Sequence, residues 1–190
     1  MIELLSQIRS DIKNDRYYLQ NFSNDGPRFL AWYLKNCCLR TSVQAKDDIT
    51  DGPNDKEFDA VIVDDEKRQI TIVQSKFYAG AVDHQPLQEV LAAWLQIQNL
   101  SALQENCNAR LRVKLEAVAS ALEDDYEVIF ELVTTGQLTG GAKDDLAAFQ
   151  STISDFEHPG SVATLKRVTE DVPSGAGRRG FRRPDRTAGR

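Results

Sequence analysis

Two short apolar runs separated by a polar turn constrain the fold of this chain more than any other feature. Residues 58–63 and 70–73 are rich in β-branched residues, and residues 64–68 between them are charged or polar. This pattern predicts two antiparallel strands joined by a tight turn. With a loop at residues 65–68, Asp59 is expected to lie opposite Gln74 in the ladder. These two positions therefore mark one end of a hairpin in a buried sheet.

Polar side chains are predicted to converge at this end of the hairpin. Side chains two positions apart on a strand share a face, so Gln74 and Lys76 are expected on the face that carries Ile70 and Ile72. Polar residues on a core face usually need a reason, and a shared functional site is one. The alternative, that the end of a strand is polar only because it is solvated, stays open at this point.

The three residue types suit a metal-dependent phosphodiesterase site. A hard cation such as Mg²⁺ or Mn²⁺ prefers oxygen ligands, which Asp59, Gln74 and the Ser75 backbone carbonyl could supply. Asp55 is a further candidate acid, either as a ligand or beside one. Lys76 could orient or deprotonate the attacking water and stabilise the charge that develops on the phosphate. Asp59, Gln74 and Lys76 are therefore the candidate catalytic residues. Other acids that could complete the site are Glu3, Glu89, Glu123 and Glu131.

A family resemblance is carried by the same residues. The block Asp51-Gly-Pro-Asn-Asp-Lys-Glu-Phe-Asp59-Ala, then a strand and Gln74-Ser-Lys-Phe-Tyr78, resembles the restriction-endonuclease-like PD-(D/E)xK nucleases in their Gln-x-Lys variant. More narrowly, it resembles the N-terminal nuclease domain of abortive phage infection proteins of the AIPR type, and more distantly Mrr-type endonucleases. The resemblance implies an α/β fold, namely a restriction-endonuclease-like α/β/α sandwich with a central mixed sheet and an N-terminal helical pair.

The same resemblance implies a function. It implies a Mg²⁺-dependent or Mn²⁺-dependent endonuclease, a hydrolase of nucleic acid for which DNA rather than RNA is the expected substrate, in defence against phage or foreign DNA. It also implies that the chain corresponds to the N-terminal part of a longer protein. Cleavage of both strands would favour a homodimer. The alternative is a catalytically inactive nuclease-fold domain that acts in nucleic-acid binding or assembly, because a fold alone does not establish activity.

A signalling module is a weaker interpretation of the hairpin. The strand ending in Asp64, Asp65 and Glu66 is similar to the opening of a phosphoacceptor receiver domain. A receiver next requires a helix and then a strand that carries the phosphorylated Asp. Here residues 69–76 form another strand at once, and residues 86–122 are helical in pattern. We therefore assign the paired acids to a charged turn.

The remaining pattern predicts a helix-rich chain around this hairpin. Trp32 is expected to pack against the first helix rather than to stack on a base. Residues 45–57 are polar and are expected to form a solvated loop. The predicted helices are Ile2–Phe22, a second helix with Pro27 in its first turn, a long helix opened by Pro86, Asn108–Leu122 and Lys143–Ile153. The further predicted strands are Arg40–Ala45, as the first strand of the sheet, and Tyr126–Thr135.

Composition predicts one domain followed by a basic tail. The 190 residues, 41% of them hydrophobic, suffice for a single core, which we assign to residues 1–158. Through residue 159, 15 Lys and Arg face 26 Asp and Glu, a net charge of −11; from residue 160 onward, 8 face 3, a net of +5. An acidic body argues against strong non-specific affinity for nucleic acid. The tail, residues 159–190, is rich in Gly, Pro and Arg and is expected to be disordered. Its abrupt Arg-rich end favours a truncated or frameshifted terminus over a native nucleic-acid-binding tail.

The cysteines and the apolar runs indicate the compartment. Cys37, Cys38 and Cys107 match neither a zinc spacing nor a disulfide framework, so reduced thiols are expected. No apolar run approaches the length of a membrane span, and the start of the chain is amphipathic rather than leader-like. These features predict a cytoplasmic protein that does not bind a membrane.

Overall fold

The computed structural model describes residues 2–78, 80–153, 160–161 and 166–167. These residues have a mixed α/β fold, which confirms the predicted class. The helices are α1 (Ile2–Asn14), α2 (Arg16–Asn21), α3 (Asp25–Asn36), α4 (Ser42–Asp48), α5 (Gln85–Ile97), α6 (Leu100–Asn106), α7 (Ala109–Glu123) and α8 (Gly140–Ile153). The strands are β1 (Ala60–Asp64), β2 (Gln69–Lys76), β3 (Ala81–Val82), β4 (Glu127–Thr134), β5 (Gln137–Leu138), β6 (Gly160–Ser161) and β7 (Lys166–Arg167).

The main sheet is mixed, with β2 and β4 at its centre. β1 runs antiparallel to β2, whereas β4 runs parallel to β2 on its other side. β6 and β7 both pair in parallel with β4. Two parallel strands need a crossover connection, and α5, α6 and α7 supply it between β2 and β4. β3 and β5 form a separate parallel pair that the sequence pattern did not predict.

The predicted hairpin is confirmed, including its register. β1 and β2 pair from Ala60 opposite Val73 to the turn at residues 65–68. At the turn, the Asp64 carboxylate accepts a hydrogen bond from the Lys67 amide (3.1 Å) and pairs with its ammonium (2.8 Å). The paired acids of this segment therefore lie at the opposite end of the hairpin from the candidate site.

Helices cover both faces of the sheet. Ile70 and Ile72 on one face of β2 pack with buried residues of α5, α6, α7 and α8, among them Trp94. Val73, on the other face, belongs to a second core formed with α1, α2, α3 and α4, which includes Phe29. A strand that is covered on both sides consists of consecutive apolar residues, which is the pattern of residues 70–73. The protein is thus layered as helices, sheet and helices.

The N-terminal helical region is interrupted once more than the sequence pattern predicted. The single helix expected at 2–22 is divided into α1 and α2 at Asp15, whose carboxylate accepts a hydrogen bond from the Tyr17 amide (2.7 Å) and so caps α2. Pro27 lies in the first turn of α3, as predicted. Trp32 is buried and its indole N–H donates to the Asp11 carboxylate of α1 (2.9 Å). The predicted packing of Trp32 against the first helix is confirmed.

The prediction of a first strand at Arg40–Ala45 is wrong. Residues 42–48 form α4 instead, and Thr41 and Gln44 cap it reciprocally: each side chain binds the backbone of the other residue. Such a capping box satisfies two backbone amides that a helix start would otherwise leave unpaired. Only Ile49 makes a strand-like contact here, an isolated bridge to Ala60. The polar loop predicted at 45–57 is therefore shorter and begins after α4.

The second half of the chain follows the sequence pattern closely. Pro86 lies in the first turn of α5, and Asn108 caps α7 by accepting a hydrogen bond from the Leu111 amide (2.9 Å). The strand predicted at 126–135 is β4, and the helix predicted at 143–153 is α8, which begins three residues earlier. Leu95 of α5 is 54% exposed, whereas Leu87, Val90 and Trp94 of the same helix are buried.

The predicted boundary at residue 158 falls outside the described residues, as does the end of the chain. β6 and β7 lie in the predicted tail and extend the sheet beyond that boundary. Apart from β6 and β7, the residues of the predicted disordered tail lie outside the described residues. None of the three cysteines is in a disulfide. Within the described helices, none combines the length and the apolar character that a membrane span requires.

Candidate metal centre

The open end of the hairpin positions Asp59. Its amide donates to the Val73 carbonyl (3.1 Å), which continues the β1–β2 ladder by one residue, and so Asp59 stands opposite Gln74. The carboxylate of Asp59 reaches across the hairpin and accepts a hydrogen bond from the Ser75 amide (2.7 Å). The observed contact of Ser75 with the site is therefore through its N–H; a role for its carbonyl stays a prediction.

The loop between α4 and β1 brings two further acids to Asp59. The Asp51 amide donates to the Asp59 carbonyl (3.2 Å), which holds the start of the loop beside the strand. The Asp55 carboxylate accepts hydrogen bonds from the Gly52 amide (3.0 Å) and the Glu57 amide (3.2 Å), so the loop curls around it. Carboxylate oxygens of Asp51, Asp55 and Asp59 lie within 4.8 Å of one another. Three acids thus converge on a space suited to one cation.

The backbone of this loop is in an unusual conformation. Asn54, Lys56 and Glu57 have φ angles of 61°, 57° and 66°, in the left-handed region that residues with a Cβ seldom adopt. Each such residue costs about 1 kcal/mol or more, and strained backbone of this kind clusters at functional sites. Three neighbouring residues in this conformation therefore need outside support.

Two helices supply that support. The Asn108 amide at the start of α7 donates to the Asn54 carbonyl (2.9 Å), and the Asn108 side chain donates to the Thr50 carbonyl (3.0 Å). From α5, the Gln96 side chain donates to the Lys56 carbonyl (3.3 Å). The loop that carries the acids is therefore held by contacts from helices far along the sequence.

Mutual repulsion and burial make the acids costly to ionise together. Burial raises the pKa of Asp59 to about 7, and the negative charges of Asp51 and Asp55 add to this rise. The hydrogen bond from the Ser75 amide and the positive charge of Lys76 act in the opposite direction. Burial and the neighbouring Asp55 likewise raise the pKa of Asp51, while the charges of Arg110 and Lys76 counteract this. A bound divalent cation would offset this concentration of negative charge.

Gln74, opposite Asp59 in the ladder, has a side-chain oxygen that could serve as a further ligand. Its side chain is 3% exposed, and its Nε2 donates to the Glu89 carboxylate of α5 (3.1 Å). Its Oε1 is buried and finds no hydrogen-bond partner among the residues that the structure describes. A buried acceptor without a partner costs about 1–3 kcal/mol. A hard cation that prefers oxygen ligands would give this atom a partner. The three carboxylates and this amide oxygen therefore suit Mg²⁺ or Mn²⁺.

Lys76 is held at the same end of β2. Its Nζ lies 2.6 Å from the Glu89 carboxylate. Burial by itself would lower the pKa of Lys76, but its hydrogen bond to Glu89 and the charges of Glu89, Asp59 and Tyr78 raise it overall. Lys76 is therefore an ammonium ion near neutral pH. That form suits stabilisation of a negative phosphate better than removal of a proton from water.

The structure brings together the predicted residues, adds Asp51, and selects Glu89 from the candidate acids. Asp59, Gln74, Lys76 and Asp55 all lie at the open end of the hairpin. Asp51 had been assigned to a solvated loop, and no repeat or spacing in the sequence links it to Asp59. Glu89 was one of four candidate acids, and its position follows only from the packing of α5 against β2.

Another of the four candidate acids lies elsewhere. Glu131 of β4 is buried, and it accepts a hydrogen bond from the Tyr33 hydroxyl (2.6 Å) of α3. It pairs in register with Val73, whose side chain belongs to the core against α1–α4. Glu131 therefore lies on the face of the sheet away from Gln74 and Glu89.

The arrangement as a whole is a carboxylate cluster backed by an amide oxygen and an ammonium group. It is suited to hold a hard cation and to stabilise an anionic ligand beside it. Asp51, Asp55 and Asp59 keep part of their surfaces accessible, so an ion could exchange with solvent. Comparison with protein-family models, curated proteins and solved structures gave no match for this chain.

Proposed function

We propose that this protein is a metal-dependent endonuclease that hydrolyses phosphodiester bonds in nucleic acid, DNA in the first instance. The observation that carries the proposal is the convergence of Asp51, Asp55 and Asp59 within 4.8 Å. Gln74 lies opposite Asp59 in the ladder, and its buried oxygen has no partner in the described part of the chain. Lys76 stands at the same strand end as Gln74. Carboxylates and a neutral oxygen donor suit a hard cation, and an ammonium group suits the charge that develops on a phosphate during metal-assisted hydrolysis.

The resemblance of residues 51–78 to the Gln-x-Lys variant of the PD-(D/E)xK nucleases supports the same proposal. A restriction-endonuclease-like sandwich is compatible with a mixed sheet that has helices on both faces. On that basis we propose the finer fold as well as a role in defence against phage or foreign DNA, of the kind that abortive-infection proteins of the AIPR type have.

Each residue has a distinct role in this proposal. Asp59, Asp51 and Asp55 would hold the cation through carboxylate oxygens, and Gln74 through Oε1. The cation, when bound, acidifies a coordinated water and polarises the phosphate. The hydrogen bond from the Ser75 amide keeps the Asp59 carboxylate in place across the hairpin. Lys76 stabilises the negative charge that grows on the phosphate oxygens.

One observation favours the alternative of an inactive nuclease-fold domain. The Lys76 ammonium is paired with Glu89 at 2.6 Å, which offsets part of the positive charge that Lys76 could offer to a phosphate. In that alternative, the site would bind a cation or nucleic acid without cleaving it. Binding and cleavage therefore have to be measured separately.

The proposal is tested by incubating the purified protein with supercoiled plasmid DNA, and separately with single-stranded RNA, in Mg²⁺ or Mn²⁺. The variants are Asp59→Ala and Lys76→Ala, with Lys67→Ala as the matched control, because Lys67 also pairs with a carboxylate but at the turn end of the hairpin. We expect cleavage by the wild type and by Lys67→Ala, and loss of cleavage in both site variants.

Three other outcomes would count against the proposal. Cleavage that survives both Asp59→Ala and Lys76→Ala would mean that another site or a contaminant is responsible. No cleavage of DNA or RNA by the wild type, with retained cation binding, would identify the inactive domain instead. Neither cleavage nor cation binding would refute the metal centre altogether.

A further inference from the structure

Glu89 is the residue at which the side chains of β2 meet helix α5. One oxygen of its carboxylate, Oε2, accepts from the Gln74 amide (3.1 Å) and from the Lys76 ammonium (2.6 Å). The other oxygen, Oε1, accepts from the side chain of Gln85, one turn earlier in the helix (3.1 Å). The Glu89 side chain is 17% exposed. Both of its oxygens are therefore engaged, and its orientation is fixed from two elements.

The Glu89 carboxylate determines which way the Gln74 amide points. An ionised carboxylate has only acceptors, so the group that faces it must be the amide NH₂ and not the amide oxygen. Rotating the amide by half a turn would place two oxygens against each other and lose the hydrogen bond. The Gln74 oxygen is consequently directed away from Glu89, and this buried atom has no partner within the described ranges of the chain.

We infer that Glu89 is a positioning residue for the metal centre, an inference that rests on the proposed function. It keeps the Gln74 oxygen turned out as a neutral cation ligand, and it holds the Lys76 ammonium beside that ligand. A carboxylate at position 74 of β2 would bring a negative charge to the site. Here Glu89 of α5 carries that charge, and it contacts the site through its hydrogen bond with the Gln74 amide. The side chains at positions 74 and 89 therefore contribute to cation binding together.

A purely structural role for Glu89 makes a different prediction. If Glu89 only formed an ion pair between α5 and β2, any residue that preserves folding could replace it. The affinity of the site for a cation would then stay unchanged. As a positioning residue, its loss should affect the cation, and moving the carboxylate to the strand should compensate. Exchange of the two side chains therefore separates the two roles.

The test uses Glu89→Gln, the exchange variant Gln74→Glu with Glu89→Gln, and Asp64→Asn as the matched control. Asp64 is also a carboxylate paired with a lysine (2.8 Å), at the far end of the hairpin. Mn²⁺ affinity is measured by electron paramagnetic resonance, and plasmid cleavage is measured in parallel. We expect Glu89→Gln to lose about 10- to 100-fold in Mn²⁺ affinity or cleavage, as loss of a residue that orients metal ligands typically does. The exchange variant should recover most of this loss, and Asp64→Asn should behave as the wild type.

A measurement on the wild type covers the case in which Glu89→Gln does not fold. The side-chain carbonyl ¹³C resonance of Gln74 should shift when Mg²⁺ is added, while its NH₂ resonances keep the shift of a group bound to a carboxylate. An unchanged carbonyl resonance in a protein that binds Mn²⁺ would overturn the inference.

The outcomes for the inference and for the function can be told apart. If the wild type neither binds Mn²⁺ nor cleaves, the proposed function fails. If the wild type does both and Glu89→Gln is equal to it, only the positioning role fails. If Glu89→Gln is impaired and the folded exchange variant is equally impaired, positions 74 and 89 do not act as one unit and the inference is overturned.

Discussion

Replacing Asp59 by asparagine is expected to stabilise the metal-free protein at neutral and alkaline pH. Burial and the neighbouring acids raise the pKa of Asp59 to about 7, so the folded protein resists the ionisation that the unfolded chain accepts readily. Asparagine has nearly the same shape, and its side-chain oxygen can still accept the hydrogen bond from Ser75. The substitution therefore removes the charge and keeps the contact.

The magnitude follows from the interval between the two pKa values. The ordinary value is 3.8 and the value in the folded protein is about 7. At roughly 1.4 kcal/mol per pH unit, the upper limit is about 4 kcal/mol. Because Asp59 retains some solvent exposure, we expect a gain of about 1–3 kcal/mol in the free energy of unfolding. The contribution of such a carboxyl group to stability is fully present below the pKa of the unfolded chain, 3.8. It is lost as the pH rises from there through the pKa of the folded protein, about 7.

The assay is urea denaturation of the wild type and Asp59→Asn at pH 5 and pH 8, with EDTA present. The advantage of the variant should be larger at pH 8, where the wild-type carboxylate is ionised, than at pH 5. Asp64→Asn is the control, and we expect it to be neutral or slightly destabilising, because Lys67 lowers the pKa of Asp64. Mg²⁺ should then stabilise the wild type, by about 2.7 kcal/mol at 100 times its dissociation constant, and stabilise Asp59→Asn less.

The reasoning would be refuted by a variant that is no more stable than the wild type at pH 8 without metal. An advantage of equal size at pH 5 and pH 8 would also refute it, because a gain that is independent of pH cannot come from the charge of this carboxylate. A cation effect of the same size in both proteins would remove Asp59 from the metal site.

Two further predictions concern the frame around the site. Asp48 is 1% exposed and is paired with Arg40 (2.6 Å) and with Lys114 (3.0 Å). Asp48→Ala should cost about 1–3 kcal/mol in urea denaturation, because it removes a buried carboxylate that accepts from both Arg40 and Lys114. Asp47→Ala, at an exposed carboxylate, should cost under about 1 kcal/mol, and equal costs would contradict the buried pairing. A Cβ at Gly136 would lie 2.5 Å from a backbone oxygen, so Gly136→Ala should lower stability by about 1–3 kcal/mol. A Cβ at Gly141 meets no neighbouring atom of the described residues within 4 Å, so Gly141→Ala in α8 should be neutral or stabilising. Thermal melts that rank the two alanines the other way would exclude the close approach at Gly136.

The parts of the fold that the sequence predicted are those with a long local pattern. The β1–β2 hairpin, α5 and β4 each have enough apolar residues at a fixed spacing to identify the element and its buried side. The error at Arg40–Ala45 has a local cause as well, because Thr41 and Gln44 form a capping box that outweighs the strand propensity of Val43. The strands β3 and β5 have two residues each, and they exist only through pairing with each other.

The candidate site was predictable where the hairpin register determines it. Asp59, Gln74 and Lys76 follow from one turn and from the alternation of side chains along a strand. Asp51 and Glu89 could not be found in this way. Asp51 reaches the site through a loop whose φ angles are unusual for its residues, and Glu89 reaches it through the packing of α5 on β2, which is a tertiary contact.

If the acidic loop binds a cation as proposed, its support by Asn108 makes the affinity for that cation depend on the docking of α7. Asn108 caps α7 and also binds the loop at two carbonyl groups, so fraying at the start of that helix would release Asn54 and Thr50 together. The acids would then separate without any change in their own side chains. Cation affinity should therefore fall before the core melts, and a chain in which α7 has not docked should be unable to retain the ion.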